Sequence, residues 1–127
     1  AFEKHVADII NPDIGACGGI LELKEIAAMA EAYHVGVAPH NYNSTTVGLA
    51  ATVHTVATMP NFIILEYFVN LEPLGRDIAM TPFEVVDSHI ALPDQPGLGI
   101  ELDEDALARY PYEPFPVRRI RYPGDEM

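Results

Sequence analysis

Hydrophobic and polar positions in the first half of the chain form two kinds of pattern. Three apolar runs, each too short for a helix, end at a titratable residue: Asp13, His40 and Glu66. Between them lie two longer segments, from Ile20 to about His34 and from Val47 to Met59, that are rich in apolar residues at helical spacing. The pattern predicts strand–helix–strand–helix–strand, with parallel strands joined by right-handed crossovers.

The three titratable residues recur at an almost constant interval. Asp13 and His40 lie 27 positions apart, and His40 and Glu66 lie 26 positions apart. The apolar runs show no two-residue alternation, as expected for strands that are covered on both faces. This organisation is typical of a doubly wound sheet or of a TIM barrel, and in both folds the carboxyl ends of the strands carry the chemistry.

The second half of the chain has a different pattern, because turn-forming residues interrupt it repeatedly. We expect a polar connection at 70–81, one or two short antiparallel strands at 85–92, a short helix at 103–109 capped by Asp103, and an extended stretch at 111–127 with four prolines.

Composition narrows the class of protein. The 127 residues suffice for one domain, and 49% of them are hydrophobic. The net charge of −12 argues against nucleic acid and anionic membranes as partners. Cys17 is the single cysteine, which excludes an internal disulfide. Since neither a signal-peptide pattern nor an apolar run of about 20 residues is present, a cytoplasmic location is expected.

The register of the strand ends suggests an acid–base site. Neighbouring strands lie about 4.8 Å apart, so Asp13 and His40 could share a hydrogen bond. A carboxylate that accepts from one imidazole nitrogen fixes the tautomer and leaves the other nitrogen free to exchange a proton. Glu66 could bind a substrate oxygen or act as a second acid. Each residue alone could be an ordinary turn or loop residue, but their common register favours a shared site.

Several motifs around these residues carry a family resemblance. They are Asn11-Pro12-Asp13, Gly18-Gly19-Ile20, the helical stretch 26–33, Ala38-Pro39-His40-Asn41, the run 61–66 and the turn-rich segment 93–100. Together they resemble the last part of the enolase-superfamily barrel, in the mandelate racemase-like subgroup that includes sugar-acid dehydratases. The resemblance covers roughly residues 5–105. The muconate-lactonizing subgroup has a lysine at the end of strand six, and none stands at 8–14.

The resemblance implies a fold. Residues 6–13, 35–40 and 61–66 would be strands six, seven and eight of a TIM-like (β/α)7β barrel. Residues 1–68 would be the C-terminal βα units, and residues 69–127 an extension that packs on the barrel and returns to the capping domain.

The resemblance also implies chemistry. Asp13 and His40 would form the family's His–Asp dyad, and Glu66 would hydrogen-bond the substrate carboxylate. The polar side chains of Asn41 and Asn43, next to His40, would suit a polyhydroxylated substrate. The superfamily's reaction abstracts the proton α to a carboxylate, through an enediolate held by Mg²⁺. The resemblance places the Mg²⁺ ligands upstream, with none in this chain.

The expected function is therefore that of a Mg²⁺-dependent acid-sugar dehydratase. Two alternatives stay open: a racemase or epimerase of a 2-hydroxy or amino acid, and a catalytically incomplete fragment. Because a complete barrel takes about 250 residues, we expect this chain to need the N-terminal part of the enzyme, in cis or as another chain. The isolated chain should be inactive, and the complete enzyme is expected to be a homo-oligomer.

Overall fold

Parallel strands form where the apolar runs predict them. The computed structural model describes residues 1–42 and 44–114. Strand β1 (Ile9–Ile10) pairs in parallel with strand β2 (Gly36–Val37). A third extended segment joins the other side of β2 through a parallel bridge between Val37 and Phe62. The strands therefore lie in the order expected of consecutive βα units.

The regular strands are shorter than the predicted ranges 6–13, 35–40 and 61–66, although the segments stay side by side to their ends. The His40 N–H donates to the Pro12 carbonyl at 3.0 Å, and the Glu66 N–H donates to the Pro39 carbonyl at 3.2 Å. Proline has no N–H, so Pro12 and Pro39 cannot continue the ladder as donors. The third segment pairs along one side only and keeps a single bridge among the described residues.

Helices follow the strands, with further short elements towards the end of the described chain. In order they are a 3-10 turn at Phe2–Lys4, α1 (Ile14–Cys17), α2 (Ile20–Glu31), α3 (Thr45–Val56), a 3-10 turn at Val69–Leu71, α4 (Glu72–Asp77), the antiparallel pair β3 (Val85–Val86) and β4 (His89–Ile90), and α5 (Glu104–Leu107).

The core lies where α2 packs against α3 and against β2. Leu23 and Ala27 from α2, Val56 from α3 and Val37 from β2 are buried there. Burial of a side chain the size of Leu23 contributes roughly 1.5–3 kcal/mol relative to its exposure. The alanines of α2 keep the contact side of that helix small, so the two helices can approach the strands closely.

The side-chain amide of Asn61 links α2 to the segment before β2, at the amino ends of the strands. Nδ2 of Asn61 donates to the carbonyls of Ala27 in α2 and Val35 before β2, both at 3.0 Å. Asn61 begins the third segment, whose other end is Glu66. The amide therefore lies at the end of the strands opposite to the titratable residues.

Several predicted elements are confirmed, and two helices were not predicted. The antiparallel pair at 85–90 forms, and Asp103 caps α5 by accepting from the Ala106 N–H at 2.9 Å. Helix α4 lies in the segment 70–81 that was expected to be a polar connection, and no helix was expected at α1. The stretch around α1 is glycine-rich, and Pro73 and Gly75 within α4 suggested a break. Pro73 lies in the first turn of α4, however, where proline is tolerated.

Two parts of the segment after residue 68 contact the βα units. Helix α4 contacts α3. Within the extension itself, Arg109 donates to both carboxylate oxygens of Asp77 in α4, at 2.8 and 2.9 Å. Nε2 of His54 on α3 lies 3.1 Å from the carbonyl of Leu98 in the turn-rich segment. The proposed boundary between residues 68 and 69 stays a prediction. The extended stretch predicted at 111–127 lies mostly outside the described residues.

Large apolar side chains remain exposed on both sides of this small sheet. Ile9 in β1 is 53% exposed, and Ile63 and Ile64 in the third segment are 52% and 64% exposed. In the part of the chain that the structure describes, no helix is long and apolar enough to cross a membrane.

Candidate active site

Asp13 follows β1 and has two structural partners before any chemistry is considered. It is the N-cap of α1, where its Oδ1 accepts the Gly15 N–H at 2.8 Å. Its Oδ2 accepts the Tyr42 N–H at 3.2 Å. The side chain is only 15% exposed. The carboxylate is therefore held from two directions by backbone donors.

His40 lies beside Asp13 because their strands are neighbours in register, and the two residues form a parallel bridge. Nδ1 of His40 lies 2.8 Å from Oδ2 of Asp13. An ionised carboxylate only accepts hydrogen bonds, so Nδ1 must be the donor. This contact fixes the orientation of the ring and turns Nε2 away from Asp13. The imidazole is 37% exposed, so it is more open than its carboxylate partner.

Glu66 occupies the other side of the imidazole, as the spacing predicted. Its Oε2 lies 3.6 Å from Nε2 of His40, which is too long for a hydrogen bond. The same oxygen accepts the Asn41 N–H at 3.1 Å. With 42% of its side chain exposed, Glu66 is the most open of the three. His40 therefore has one carboxylate in hydrogen-bond contact with Nδ1 and a second, more exposed carboxylate close to Nε2.

The electrostatics of Asp13 agree with this geometry. Burial by itself acts to raise the pKa of Asp13. The hydrogen bonds from His40 and from the Tyr42 and Gly15 N–H groups outweigh burial, so the pKa of Asp13 lies below its ordinary value. Asp13 is therefore ionised at neutral pH and can stabilise a positive charge on His40 if the ring takes up a proton.

The loop after His40 serves the site mainly through its backbone. Asn41 is 6% exposed, and its side-chain oxygen accepts a hydrogen bond from the Ser44 hydroxyl. Ser44 stands at the N-cap of α3 without capping it through its side chain, because its hydroxyl contacts Asn41 instead. Substrate binding by Asn41 stays a prediction. Asn43, the other predicted substrate-binding residue, lies outside the described residues.

Sequence reasoning missed the contribution of Tyr42 and Phe68. Their rings pack at 4.6 Å between centroids, and the Tyr42 ring lies 5.8 Å from that of His40. A signal was present in the sequence, since Tyr42 follows His40 by two residues and Phe68 follows Glu66 by two residues. Aromatic residues at equivalent positions after neighbouring parallel strands are expected to lie close together.

Two other residues with reactive side chains have contacts elsewhere. His54 contacts the Leu98 carbonyl in the turn-rich segment, and Cys17 is a free cysteine at the end of α1. Within residues 1–42 and 44–114, no group of three or more His, Cys, Asp or Glu side chains could hold a metal ion. What the arrangement can do is move a proton: a carboxylate orients an imidazole whose second nitrogen faces an open side next to another carboxylate.

This fold and site define a class of protein, the parallel βα-barrel enzymes that place acid–base groups at the carboxyl ends of their strands. Residues 1–106 match the family model described as enolase C-terminal domain-like. The chain belongs to this family, and the resemblance drawn from the motifs is confirmed.

Curated relatives include sugar-acid dehydratases. A D-galactonate dehydratase family member from Streptomyces bingchenggensis is 38% identical over 121 residues, which are 93% of this chain and 29% of the relative. The D-xylonate dehydratase of Haloferax volcanii is 34% identical over 112 residues, which are 88% of this chain and 27% of that enzyme. This chain thus spans less than a third of the length of either relative.

Solved structures agree with the barrel assignment. A mandelate racemase/muconate lactonizing enzyme from Sulfitobacter sp. superposes with a TM-score of 0.82 at 34% identity, covering 98% of this chain and 31% of that one. An enolase from Agrobacterium radiobacter, solved with sodium and L-malate, gives a TM-score of 0.78 at 34% identity, covering 98% of this chain and 34% of that one. The predicted fold, the C-terminal portion of a TIM-like barrel, is confirmed.

Proposed function

We propose that this chain is the C-terminal portion of an acid-sugar dehydratase and supplies the acid–base half of its active site. The observation that carries the proposal is the contact of 2.8 Å between Nδ1 of His40 and Oδ2 of Asp13, with Nε2 directed to the open side. The geometry suits proton transfer at a carbon next to a carboxylate, where a weakly acidic C–H must meet a fixed base.

In this proposal each residue has one task. Nε2 of His40 takes the proton from the α-carbon, or gives a proton to the departing β-hydroxyl. Asp13 keeps the ring in the tautomer that leaves Nε2 unprotonated, and it stabilises the imidazolium that forms. Glu66, on the open side, donates a hydrogen bond from its carboxylic acid form to an oxygen of the substrate carboxylate. Asn41 holds Glu66 through its N–H, and Asn41 and Asn43 border the place of the substrate.

The substrate class rests on chemistry and on the relatives. Two relatives are named for galactonate and xylonate, which are polyhydroxylated acids. The Agrobacterium structure contains L-malate, a smaller hydroxy acid. We infer that this enzyme dehydrates a sugar acid to a 2-keto product, in a site bordered by the polar loop that follows His40.

The resemblance implies Mg²⁺, and among residues 1–42 and 44–114 no group of side chains fits a Mg²⁺ site. Mg²⁺ prefers six oxygen ligands in octahedral geometry. The two carboxylates of the site, Asp13 and Glu66, flank an imidazole and already accept backbone N–H groups. We therefore assign the Mg²⁺ ligands to the part of the enzyme outside this chain.

We further propose that this chain works only with the rest of its barrel, in cis or as another chain. It spans less than a third of its relatives. The exposed Ile9, Ile63 and Ile64 lie on the sides of the sheet where further strands would pack. In this view the isolated chain is inactive, and residues 69–127 pack on the barrel and its cap. A homo-oligomeric assembly remains part of the proposal.

The second candidate is a racemase or epimerase, because the Sulfitobacter neighbour carries the mandelate racemase name. It would use the same dyad with a second base on the other face of the substrate. Incubation of sugar acids and 2-hydroxy acids with the complete enzyme in D₂O separates the two. A 2-keto product supports dehydration, whereas α-deuteration without loss of water supports epimerisation.

His40→Asn in the complete enzyme tests the proposal as a whole. We expect turnover of the best sugar acid to fall at least about 10²-fold, since a positioned acid–base group contributes that much. His34→Asn is the matched control, because His34 is exposed and has a backbone φ of 59°, a conformation that asparagine tolerates. Retained turnover in His40→Asn would remove His40 from the mechanism. If both His40→Asn and His34→Asn keep the parent turnover, a residue other than His40 performs the acid–base chemistry.

A further inference from the structure

The loop after His40 binds the carboxylates on both sides of the imidazole through consecutive backbone groups. The Asn41 N–H donates to Oε2 of Glu66 at 3.1 Å, and the Tyr42 N–H donates to Oδ2 of Asp13 at 3.2 Å. The second contact reaches the same oxygen that His40 uses. The backbone at 41–42 therefore helps to hold both carboxylate neighbours of His40 in place.

An aromatic pair anchors this part of the loop. The Tyr42 ring packs on Phe68 with centroids 4.6 Å apart and planes tilted by 49°. Phe68 follows Glu66, so the pair joins the loop after His40 to the segment after Glu66. An aromatic pair at this separation and tilt is mutually stabilising, so it holds the loop against the segment that follows Glu66. On its other side the Tyr42 ring lies 5.8 Å from the His40 ring, tilted by 41°.

We propose that Tyr42, held by Phe68, is a positioning residue for the His40–Asp13 dyad. Its ring fixes the loop so that its own N–H reaches Asp13, and it limits the movement of the imidazole from one side. Removal of the ring frees the loop, weakens the Tyr42 N–H contact and lets Asp13 and His40 drift from the geometry that proton transfer needs. The kinetic part of this proposal rests on the proposed function.

A different role for Tyr42 would be to line the substrate site, since the residue is 39% exposed. The two roles have different consequences. A residue that only binds substrate changes KM and leaves kcat almost unchanged, whereas a positioning residue changes kcat. The contacts with Asp13, His40 and Phe68 favour positioning, because they connect Tyr42 to the groups that move the proton.

The experiment compares Tyr42→Ala, Tyr42→Phe and Tyr33→Ala in the complete enzyme. Tyr33 is the matched control: it is 37% exposed and packs on Phe2 with centroids 6.0 Å apart, away from the dyad. Two readouts are needed. One is steady-state kinetics on the best sugar acid. The other is the NMR signal of the His40 Nδ1 proton in protein labelled with ¹⁵N-histidine, assigned by its loss in His40→Asn.

We expect Tyr42→Ala to lower kcat about ten- to a hundredfold with little change in KM, as for a misplacement of reacting groups. Its Nδ1 proton signal should broaden or vanish, because the contact with Asp13 becomes exposed and variable. Tyr42→Phe and Tyr33→Ala should resemble the parent enzyme in both readouts, since the first keeps the ring and the second leaves the loop alone.

Three results would overturn the proposal. They are a rise in KM alone in Tyr42→Ala, a Tyr42→Phe variant as impaired as Tyr42→Ala, and an unchanged Nδ1 proton signal in Tyr42→Ala. The NMR readout does not depend on the reaction. If the parent enzyme turned over no sugar acid and the signal were still lost in Tyr42→Ala alone, the proposed function would fail while the positioning role stood.

Discussion

Asp13→Asn is the substitution whose consequences the structure defines most closely. In the parent chain Oδ1 accepts from Gly15, and Oδ2 accepts from both Tyr42 and His40. An amide of the same shape has one accepting oxygen and one NH₂ group. Whichever way the amide turns, its NH₂ group meets a backbone N–H, so at least one of the backbone hydrogen bonds is lost.

The stability effect follows from these contacts. Hydrogen bonds to a charged group contribute roughly 1.5–3 kcal/mol each, and a buried donor left without a partner costs about 1–3 kcal/mol. The Asp13 side chain is only 15% exposed, but its contacts with Gly15 and Tyr42 lie at the surface, so solvent screens them in part and the lower end of these ranges applies. We expect the free energy of unfolding of the complete enzyme to fall by about 1–1.5 kcal/mol in Asp13→Asn, measured by urea unfolding at neutral pH.

The effect should depend on pH with a defined sign. The pKa of Asp13 is lower in the folded protein than its ordinary value of 3.8. Its contribution to stability is therefore fully present above pH 3.8 and is lost as the pH falls through the folded-state pKa. The difference in unfolding free energy between the parent and Asp13→Asn should accordingly shrink in acid. A difference that grows in acid would contradict the assigned contacts.

The kinetic effect is the sharper test. If the NH₂ group faces His40, Nδ1 becomes the acceptor and Nε2 carries the proton, so the ring cannot act as a base. If the oxygen faces His40, the tautomer is kept but the negative charge is gone. Either way we expect kcat to fall about 10²–10⁴-fold, the range for a general acid–base group. Asp8→Asn, an exposed position before β1, is the matched control. Turnover of Asp13→Asn within threefold of this control would refute the dyad.

Two further predictions concern the open side of the site and the extension. Glu66→Ala should lower kcat about 10²–10³-fold if Glu66 donates a hydrogen bond to the substrate carboxylate, and Glu66→Gln should lose less because its amide can donate. Equal losses of kcat in the two variants would contradict hydrogen-bond donation, which glutamine can replace, and would favour transfer of the Glu66 proton, which glutamine cannot perform. Asp103→Ala removes the side-chain cap of α5 and should cost about 0.5–2 kcal/mol of unfolding free energy without changing kcat. The exposed Asp105→Ala is its control in the same denaturation experiment, and equal stability of the two would rule out the cap as a significant contribution.

Much of the fold was predictable because the repeat is local. An apolar run followed by a helical pattern places each strand end, and the interval from Asp13 to His40 and Glu66 sets their register. The short regular strands were not predictable from apolar pattern alone. Pro12 and Pro39 lie inside the apolar runs, and their missing donors interrupt the ladder without separating the strands.

The titratable residues of the site could be predicted from the sequence, but the backbone hydrogen bonds that hold them could not. The spacing of Asp13 and His40 indicates proximity, because neighbouring parallel strands end together. The backbone contacts from Gly15 and Tyr42 depend on how the loops turn, and no periodic pattern encodes that. Helix α1 illustrates the limit: its four residues form a turn because Asp13 caps it, an effect of a single side chain.

The position of Asn61 affects how a growth screen in cells would score variants of this protein. Its amide joins two backbone carbonyls at the end of the strands opposite to His40. A substitution at Asn61 should lower the amount of folded enzyme in the cell and leave kcat of the folded enzyme unchanged. A substitution at His40 should lower kcat and leave the amount of folded enzyme unchanged. A growth screen reports only the product of these two quantities, so it would score both kinds of variant alike. Enzyme abundance measured alongside growth would separate them.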